Sequence, residues 1–333
     1  MRAMILAAGF GTRLGSLSDE RPKPLLPVCD VPLLRYSLAL LEAHGFTECA
    51  INLHHRGDLI REELADYRGL ALTFSPEEAI LGTGGGLKRM AEWLTDGGRE
   101  PFLVLNGKLV VDPDLHALVA AHKKRGAAAT MLVRDVPDAE RWGAIDSDGN
   151  GRVLRMIGEA GPAAGEIVHR SMFTGVHVIA PSLLARLPAG ESCIIRQGYL
   201  PALRAGEPIG AVLYDGYFQE HSTPERYLDG NLALLRGRAR LRHPPGALVG
   251  ADPSARVAAS AILREPYRIG PGAIVGEGAV VGPDAVVGRR ARVAAGARLE
   301  RAVVWPDATV EGEVKDAIVT PRGAFPVGEP KPL

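Results

Sequence analysis

A six-residue repeat between residues 269 and 298 constrains this chain more than any other feature. It runs through the hexads IGPGAI, VGEGAV, VGPDAV, VGRRAR and VAAGAR, with an aliphatic residue first, mostly glycine second and alanine fifth. Four valines keep the first position in strict register: Val275, Val281, Val287 and Val293. Such a repeat is typical of a parallel β-helix, in which each hexad forms one face of a triangular coil. A Gly/Ala-rich linker is the alternative, and the strict register argues against it.

The same repeat predicts how the chain assembles. Because stacked coils have flat sides, we expect an aliphatic side of residues 246–326 to drive self-association into a trimer or a higher multiple. Removing the residues after 245 is then expected to give a smaller species in light scattering.

The first 240 residues follow a different pattern, in which short apolar strands alternate with helical segments. That alternation predicts a Rossmann-like, mostly parallel sheet covered by helices. The predicted strands are AMILAA (3–8), CAINLHH (49–55), ALTFS (71–75), FLVLNG (102–107), ATMLVR (129–134), FTGVHVIA (173–180) and IGAVLYD (209–215). The segment RHPPG (242–246) ends the pattern, so we predict two domains, 1–240 and 246–326.

Charge and cysteine content exclude several classes of protein. Lys plus Arg and Asp plus Glu are both 39, so no net charge attracts the chain to nucleic acid or to an anionic membrane. Three cysteines, Cys29, Cys49 and Cys193, are too few and too scattered for a disulfide framework or a zinc site. No segment approaches the ~18 apolar residues of a membrane span. We therefore expect a cytoplasmic protein in a reducing compartment.

A glycine-rich segment, LAAGFGTRLGSLSDERPKPLLPV, covers residues 6–28 and directly follows the first predicted strand. Glycines in a strand-to-helix turn let backbone N–H groups approach phosphate oxygens. A dinucleotide fingerprint would need glycine in place of Leu14, and a Walker A loop would need a Gly-Lys-Ser/Thr sequence. Arg13 and Lys23 add two cations, and we expect the flanking prolines to hold Lys23 on a stiff, extended segment. Two cations and a row of amides suit a triphosphate.

Residues 6–28 resemble the signature of the sugar-1-phosphate nucleotidyltransferases. The likeness covers nearly the whole chain and includes FSPEEAILGTGGGLKRMAEWL (74–94), WGAI (142–145), FTGVHV (173–178) and YDGYFQEHSTPERYLDGN (214–231). With its β-helix the chain is most similar to the mannose-1-phosphate guanylyltransferase branch, whose β-helix is left-handed. The muramic and N-acetylglucosamine-phosphate uridylyltransferases are close alternatives.

The resemblance implies that a sugar 1-phosphate attacks the α-phosphate of an NTP and that pyrophosphate leaves. Arg13 and Lys23 would be the catalytic cations. The residues implied to bind the nucleotide are Leu6, Ala8, Gly9, Gly11, Thr12, Glu78 or its neighbour Glu77, Gly84, Gly85, Asn106, Gly107 and Lys108. Those implied to bind the sugar are Gly143, Glu159, Thr174 and Gly175. The carboxylate of Glu77 or Glu78 would accept from the adjacent N1–H and N2–H₂ of guanine better than from the single N3–H of uracil, which favours GTP. The resemblance to the mannose-1-phosphate guanylyltransferase branch then favours mannose 1-phosphate as the second substrate.

Three positions depart from the family pattern. Lys108 replaces the Asp that binds Mg²⁺, Glu220 replaces the second metal-binding Asp, and Ala160 replaces a lysine that holds the sugar phosphate. The resemblance implies Mg²⁺, but a lysine in the first coordination shell would repel it. We predict that the Lys108 ammonium stands in the metal's place; the alternative is a surface lysine at a hairpin.

Two functions therefore compete. The chain is a nucleotidyltransferase, or it is a regulatory subunit or sensor that binds a nucleotide sugar and has lost catalysis. Acyl transfer by the hexapeptide repeats would need a general base, typically histidine, and no histidine follows His243.

Overall fold

The computed structural model of the chain describes residues 1–328. In chain order the strands are β1 Ala3–Leu6, β2 Pro27–Val28, β3 Val31–Pro32, β4 Glu48–Leu53, β5 Ala71–Pro76, β6 Phe102–Asn106, β7 Leu109–Val111, β8 Ala129–Asp135, β9 Ile145–Ser147, β10 Val153–Met156, β11 Glu159–Ala160, β12 His169–Ile179, β13 Ile209–Leu213, β14 Phe218–Glu220, β15 Gly250–Ala251, β16 Arg256–Val257, β17 Ile262–Leu263, β18 Tyr267–Ile269, β19 Ile274–Val275, β20 Val280–Val281, β21 Ala285–Val287, β22 Arg292–Val293, β23 Arg298–Val304, β24 Thr309–Val310, β25 Glu313–Thr320 and β26 Gly323–Pro326. The α-helices are α1 Leu17–Glu20, α2 Leu33–Ala43, α3 Gly57–Glu63, α4 Gly82–Arg89, α5 Ala91–Leu94, α6 Leu115–Arg125, α7 Pro181–Arg186, α8 Leu200–Arg204 and α9 Pro224–Leu235. Short 3-10 turns cover Thr12–Leu14, Lys23–Leu25 and Ala139–Trp142, and Ile194–Tyr199 forms a π-helical turn. No helix among residues 1–328 is long and apolar enough to cross a membrane.

The chain divides into two compact units that do not follow the domain boundary predicted at residues 240–246. Unit 1 comprises residues 1–10, 40–107 and 112–218, and unit 2 comprises 11–39, 108–111 and, of the described residues, 219–328. The difference arises because residues 11–39 and 219–240 group with the repeat region in unit 2. Sequence period shows where the repeats begin, but it does not show which earlier segments they contact.

Ten strands of unit 1 form one sheet around a buried apolar core. They run in the order β11-β10-β9-β12-β6-β1-β4-β5, and β8 pairs with both β12 and β13. All seven strands predicted from the sequence are present. The sheet is mixed, because β12 runs antiparallel to β6, β8 and β9, whereas the sequence predicts a mostly parallel sheet. Strands β9, β10 and β11, and not a crossover helix, connect β8 to β12, so the chain returns in the opposite direction.

Four neighbouring strands, β1, β4, β5 and β6, are mutually parallel in this sheet. Their carboxyl ends therefore lie at one edge, where ligands meet open α/β sheets. The residues at or just past these ends are Leu6, Leu53, Pro76 and Asn106. This edge brings the start of the glycine segment, the Glu77–Glu78 pair and the Asn-Gly turn together within unit 1.

The repeats of unit 2 form a left-handed parallel β-helix, as predicted. Residues 18 apart pair in parallel register, such as Gly250 with Arg268 and Arg256 with Ile274, so three hexads make one coil. The first-position aliphatic residues and the fifth-position alanines both point into the coil, where they form one core. Val275, Val281 and Ala279, for example, are each less than 3 % exposed. Small alanines let successive coils stack closely, and the regular spacing of the aliphatic residues fills the interior.

Two outer columns of the coil, both within residues 1–328, differ from the aliphatic side expected for self-association. One apolar outer column, formed by Val286, Val303 and Ile318, is buried, and α9 packs on its strands β23 and β25 within unit 2. A second outer column runs from Ile262, which is 51 % exposed, through the buried Val280 to the charged Arg298. Self-association stays a prediction that light scattering of the full chain would test. Truncation after residue 245 is a poor test, because it removes the partners of residues 11–39.

Candidate functional site

A buried hydrogen-bond chain orders the sheet edge of unit 1. The backbone N–H of Ala7 donates to Asn52 Oδ1 at 2.7 Å, and Asn52 Nδ2 donates to Glu77 Oε1 at 2.7 Å. The second oxygen of Glu77 accepts from the backbone N–H of Leu81 at 2.9 Å. The chain thus links the segment after β1 to the segment after β5. Glu77 is only 5 % exposed and its two oxygens already accept these bonds, so the exposed Glu78 is the better candidate for a nucleotide base.

Gly84 and Gly85 have a role different from the one the sequence suggests. Both are buried in α4, and the N–H of Gly84 donates to the carbonyl of Ser192 at 2.8 Å. A Cβ at Gly85 would lie 2.1 Å from the carbonyl oxygen of Gly190. These glycines therefore let α4 pack against residues 190–192, and a contact of their backbone with a base stays a prediction.

Two residues predicted to bind the sugar have internal partners. The hydroxyl of Thr174, which is 2 % exposed, donates to the carbonyl of Leu132 at 2.7 Å, so it is not available as a donor to a ligand. Glu159 pairs with Arg204, whose Nε lies 2.7 Å from its carboxylate. Ala160, which follows Glu159, is exposed. The Thr174 hydroxyl is therefore not a donor for a ligand. The Glu159 carboxylate already has a cationic partner, Arg204.

The remaining predicted sugar residues are glycines with left-handed backbones, Gly143 at φ 80° and Gly175 at φ 90°. A Cβ at Gly175 would lie 2.3 Å from Asn106 Nδ2. Gly175 therefore gives room for the Asn106 side chain at the end of β6, and that amide is the polar group that the segment presents.

Gly175→Ala is expected to lower the free energy of unfolding by about 2 kcal/mol or more, because strain and a clash with Asn106 add together. Gly158→Ala is the matched control, since Gly158 has a similar φ of 80° but nothing within 4 Å of the position that a Cβ would occupy. The control carries backbone strain alone, about 1 kcal/mol. Urea denaturation measures both, and equal losses would show that Asn106 does not depend on this glycine.

In unit 2, the glycine segment continues as two tight turns. Gly11 has a left-handed φ of 75° and precedes the 3-10 turn Thr12–Leu14, which carries Arg13 outward with 58 % of its side chain exposed. Lys23 also begins a 3-10 turn, Lys23–Leu25, and so does not lie on the extended segment predicted for it. Pro24 is compatible with that turn because its fixed φ is helical and its position needs no donor.

A charge cluster surrounds Glu220 in unit 2. The Lys108 ammonium forms a short ion pair with Glu220 Oε1, and Arg13 Nη2 lies 3.4 Å from the same oxygen. Arg226 Nη1 lies 3.5 Å from Oε2. Lys108 is not a surface lysine at a hairpin, because β7 pairs with β14 and not with β6, and its side chain is only 31 % exposed. Lys108 is thus paired with the carboxylate of Glu220, the residue that the family resemblance assigns as a metal ligand.

Electrostatics within the cluster changes two pKa values. Burial would raise the pKa of Glu220, but Lys108, Arg13 and Arg226 outweigh it and hold that pKa below its usual range. Burial, together with the charges of Lys108 and Arg13, lowers the pKa of Lys23 to about 8 against the opposing effect of Glu220. Four cations and one carboxylate leave the cluster with a net charge of +3 when Lys23 is protonated.

The lowered pKa of Lys23 predicts that phosphate binding weakens at alkaline pH. Below about pH 8 the ammonium is charged in the free protein, so tripolyphosphate affinity is expected to fall at least ~10-fold between pH 7 and pH 9.5, relative to Lys23→Arg. Lys23→Arg stays charged across that range and also corrects for ionisation of the ligand. Calorimetric titrations of both proteins give the profiles, and coinciding profiles would contradict the prediction.

The residues present do not fit the Mg²⁺ that the family resemblance implies. Mg²⁺ prefers octahedral oxygen ligands, often carboxylates. Here a single carboxylate, Glu220, already accepts from Lys108 and lies beside two arginines. No group of three or more His, Cys, Asp or Glu side chains suited to a metal occurs within residues 1–328.

Sequence reasoning missed Arg226 as a member of the cluster. It lies in the segment STPERYLDGN, which the sequence marks only as part of a family motif. Thr223 caps α9 by accepting from Arg226 N, and this cap places Arg226 in the first turn, near Glu220. A cation three residues after a capping Thr, and near a glutamate, is the signal that points to it.

Comparison with known proteins gives consistent relationships. Residues 2–159 match the nucleotidyl transferase family model, and residues 266–301 match the bacterial transferase hexapeptide (six repeats). The chain is 29 % identical over 315 residues to the probable mannose-1-phosphate guanylyltransferase 1 of Oryza sativa subsp. japonica, covering 93 % of this chain and 83 % of that protein. It is 31 % identical over 229 residues to a UTP–glucose-1-phosphate uridylyltransferase of Synechocystis sp., covering 65 % of this chain and 58 % of that protein.

Solved structures share the fold. HddC from Yersinia pseudotuberculosis superposes with a TM-score of 0.58 at 23 % identity, covering 69 % of this chain and 97 % of that chain. A second structure of HddC, complexed with GMP-PN, has a TM-score of 0.57 at 22 % identity, with the same coverage.

Proposed function

We propose that the chain is a sugar-1-phosphate nucleotidyltransferase, in keeping with its match to the nucleotidyl transferase family model over residues 2–159. In this proposal it transfers GMP from GTP to mannose 1-phosphate, giving GDP-mannose and pyrophosphate. Three observations favour this pair of substrates. A relative that covers 93 % of this chain is named a probable mannose-1-phosphate guanylyltransferase, a structural neighbour is complexed with GMP-PN, and the exposed Glu78 suits the N1–H and N2–H₂ edge of guanine.

The cluster of four cations around Glu220 carries the proposal. In the reaction a phosphate oxygen of the sugar attacks the α-phosphorus, and the bond from that phosphorus to the pyrophosphate oxygen breaks. Negative charge moves onto the leaving group, and fixed cations offset it without reorganisation. Arg13 binds the leaving phosphates with its guanidinium fork, Lys23 binds the α-phosphate, and Lys108 supplies a positive charge where the family has a metal ligand.

A second candidate function rests on the Lys108–Glu220 ion pair. An ammonium supplies one charge and cannot bridge two phosphate oxygens as a divalent ion does. With Ala160 in place of a lysine, the sugar phosphate also has one cation fewer. The chain would then bind a nucleotide sugar tightly and turn over slowly or not at all, as a regulatory subunit or sensor.

One experiment separates the two functions. Four NTPs are combined with mannose, glucose and N-acetylglucosamine 1-phosphates, and pyrophosphate release and binding affinity are measured on the same samples. Release with GTP and mannose 1-phosphate supports the transferase, and tight binding without release supports the sensor. Binding no better than that of Arg13→Ala for every nucleotide would reject both.

A further inference from the structure

The hairpin formed by β2 and β3 lies just beyond Lys23 and is strained at its tip. Cys29 and Asp30 have positive φ angles of 46° and 69°, a conformation that residues other than glycine rarely adopt. The N–H of Cys29 donates to Asn231 Oδ1 of α9 at 2.7 Å. Strained non-glycine residues persist where neighbouring contacts hold them. The contacts made by Cys29 and Asp30 therefore identify the part of the protein that holds the hairpin tip in this conformation.

The tip engages the coils of the β-helix. Asp30 is 4 % exposed, and its Oδ1 accepts from the backbone N–H of Arg289 at 2.7 Å. Its other oxygen approaches Gly270 so closely that a Cβ there would lie 2.2 Å away. Gly270 and Arg289 belong to different hexads. The Asp30 carboxylate thus lies against two parts of the coil, where only a glycine at position 270 leaves room.

A second connection runs from the coil to the start of the same hairpin. Trp305 Nε1 donates to Tyr227 Oη at 3.1 Å, and Tyr227 Oη donates to the carbonyl of Pro27 at 2.5 Å. Both side chains are fully buried. On the other side of the turn, Thr320 Oγ1 donates to Glu20 Oε1 at 2.7 Å. Segment 20–30 is therefore held by the coil at both of its ends.

The Lys23 turn is joined to this hairpin by backbone hydrogen bonds. The N–H of Leu26 donates to the carbonyl of Lys23 at 3.2 Å, and the N–H of Leu33 donates to the carbonyl of Leu26 at 3.0 Å. A shift of the hairpin therefore moves Lys23 relative to Arg13 and Lys108.

We propose that the β-helix positions the phosphate-binding cations: Trp305, through Tyr227, and the coil edge that binds Asp30 fix segment 20–30 and thereby Lys23. These are positioning residues, since none of them belongs to the charge cluster. The inference rests on the proposed function only for the nature of the ligand. Positioning of Lys23 is a role of the coils within each chain and does not depend on self-association.

Trp305→Phe tests the proposal by removing the indole N–H while keeping an aromatic ring, and Tyr227→Phe removes the bridging hydroxyl from the other side. Amide hydrogen exchange within residues 20–33 of the free protein is expected to accelerate roughly tenfold, because a buried hydrogen bond is lost. Tripolyphosphate affinity is expected to fall roughly fivefold or more. Trp93→Phe is the control, because Trp93 carries a half-buried indole in unit 1. This variant is expected to change neither the exchange rates nor the tripolyphosphate affinity.

A double-mutant cycle distinguishes positioning from general destabilisation. If Trp305 acts through Lys23, Trp305→Phe has no further effect on tripolyphosphate affinity in a Lys23→Ala background. Equal losses in both backgrounds would overturn the proposal. So would unchanged exchange and affinity in a folded Trp305→Phe or Tyr227→Phe protein.

Asp30 supplies an independent pair of variants. Asp30→Ala removes the acceptor and is expected to repeat the effect of Trp305→Phe, while Asp30→Asn keeps an acceptor oxygen and is expected to restore the wild-type values. Asp307→Ala, an exposed coil aspartate paired with Arg290, is the control. An Asn variant as impaired as Ala would overturn the proposed contact. If the wild type binds no tripolyphosphate, the proposed function fails, and the exchange rates alone decide whether the coil fixes the segment.

Discussion

Lys108→Asp is expected to make nucleotide binding dependent on Mg²⁺. The substitution reverses the charge beside Glu220, so two carboxylates lie where an ion pair stood. Without metal, GTP affinity is expected to fall ~30-fold or more, about 2 kcal/mol, because like charges adjoin and a phosphate partner is lost. Paired carboxylate oxygens are ligands that Mg²⁺ prefers, so millimolar Mg²⁺ is expected to restore much of the affinity.

Adding Glu220→Asp shortens the second carboxylate and is expected to strengthen the metal dependence. Turnover is expected to rise only in part, because Ala160 still leaves the sugar phosphate with one cation fewer. Titrations with GTP in EDTA and in Mg²⁺ give the affinities. Lys124→Asp, with the same charge change at an exposed position, is the control. A Lys108→Asp protein that binds GTP equally well with and without metal would contradict the account.

Arg13→Lys is expected to weaken triphosphate affinity by at least ~1.5 kcal/mol, about tenfold. The guanidinium forks onto two phosphate oxygens, whereas an ammonium acts as a point charge. Arg13 is more than half exposed and is only 3.4 Å from Glu220, so the free protein does not use its full donor set. Arg256→Lys, on an exposed face of the coil, is the matched control. An unchanged dissociation constant for GTP would remove Arg13 from the site.

Much of the fold follows from local sequence patterns. The register of Val275, Val281 and Val287 predicts the coil, because an inward-facing aliphatic residue must recur on each face. The seven apolar strands of unit 1 are likewise visible as short runs between turn residues. These features depend on neighbours in the sequence, and the structure confirms them.

The rest depends on contacts between distant residues. Lys108 and Glu220 are 112 positions apart, so only the fold brings their charges into contact. Gly84 and Gly85 look like a binding loop in sequence, but their small size is needed against residues 190–192. The burial of Val286 and Val303, in the outer column whose strands β23 and β25 contact α9, removes an aliphatic surface that the hexads alone predict. In each case the sequence gives the type of residue, and contacts with distant residues determine its structural role.

The Mg²⁺ dependence of the wild-type protein tests the central claim, that protein cations replace the metal in binding the nucleotide. GTP affinity and pyrophosphate release are measured on the same sample, first in Mg²⁺ and then in excess EDTA. We expect the two dissociation constants to agree within about threefold, less than 1 kcal/mol, and we expect slow pyrophosphate release at the same rate in both conditions. Rapid release that EDTA abolishes, together with a loss of GTP affinity, would show that a metal binds despite Lys108 and would contradict the account.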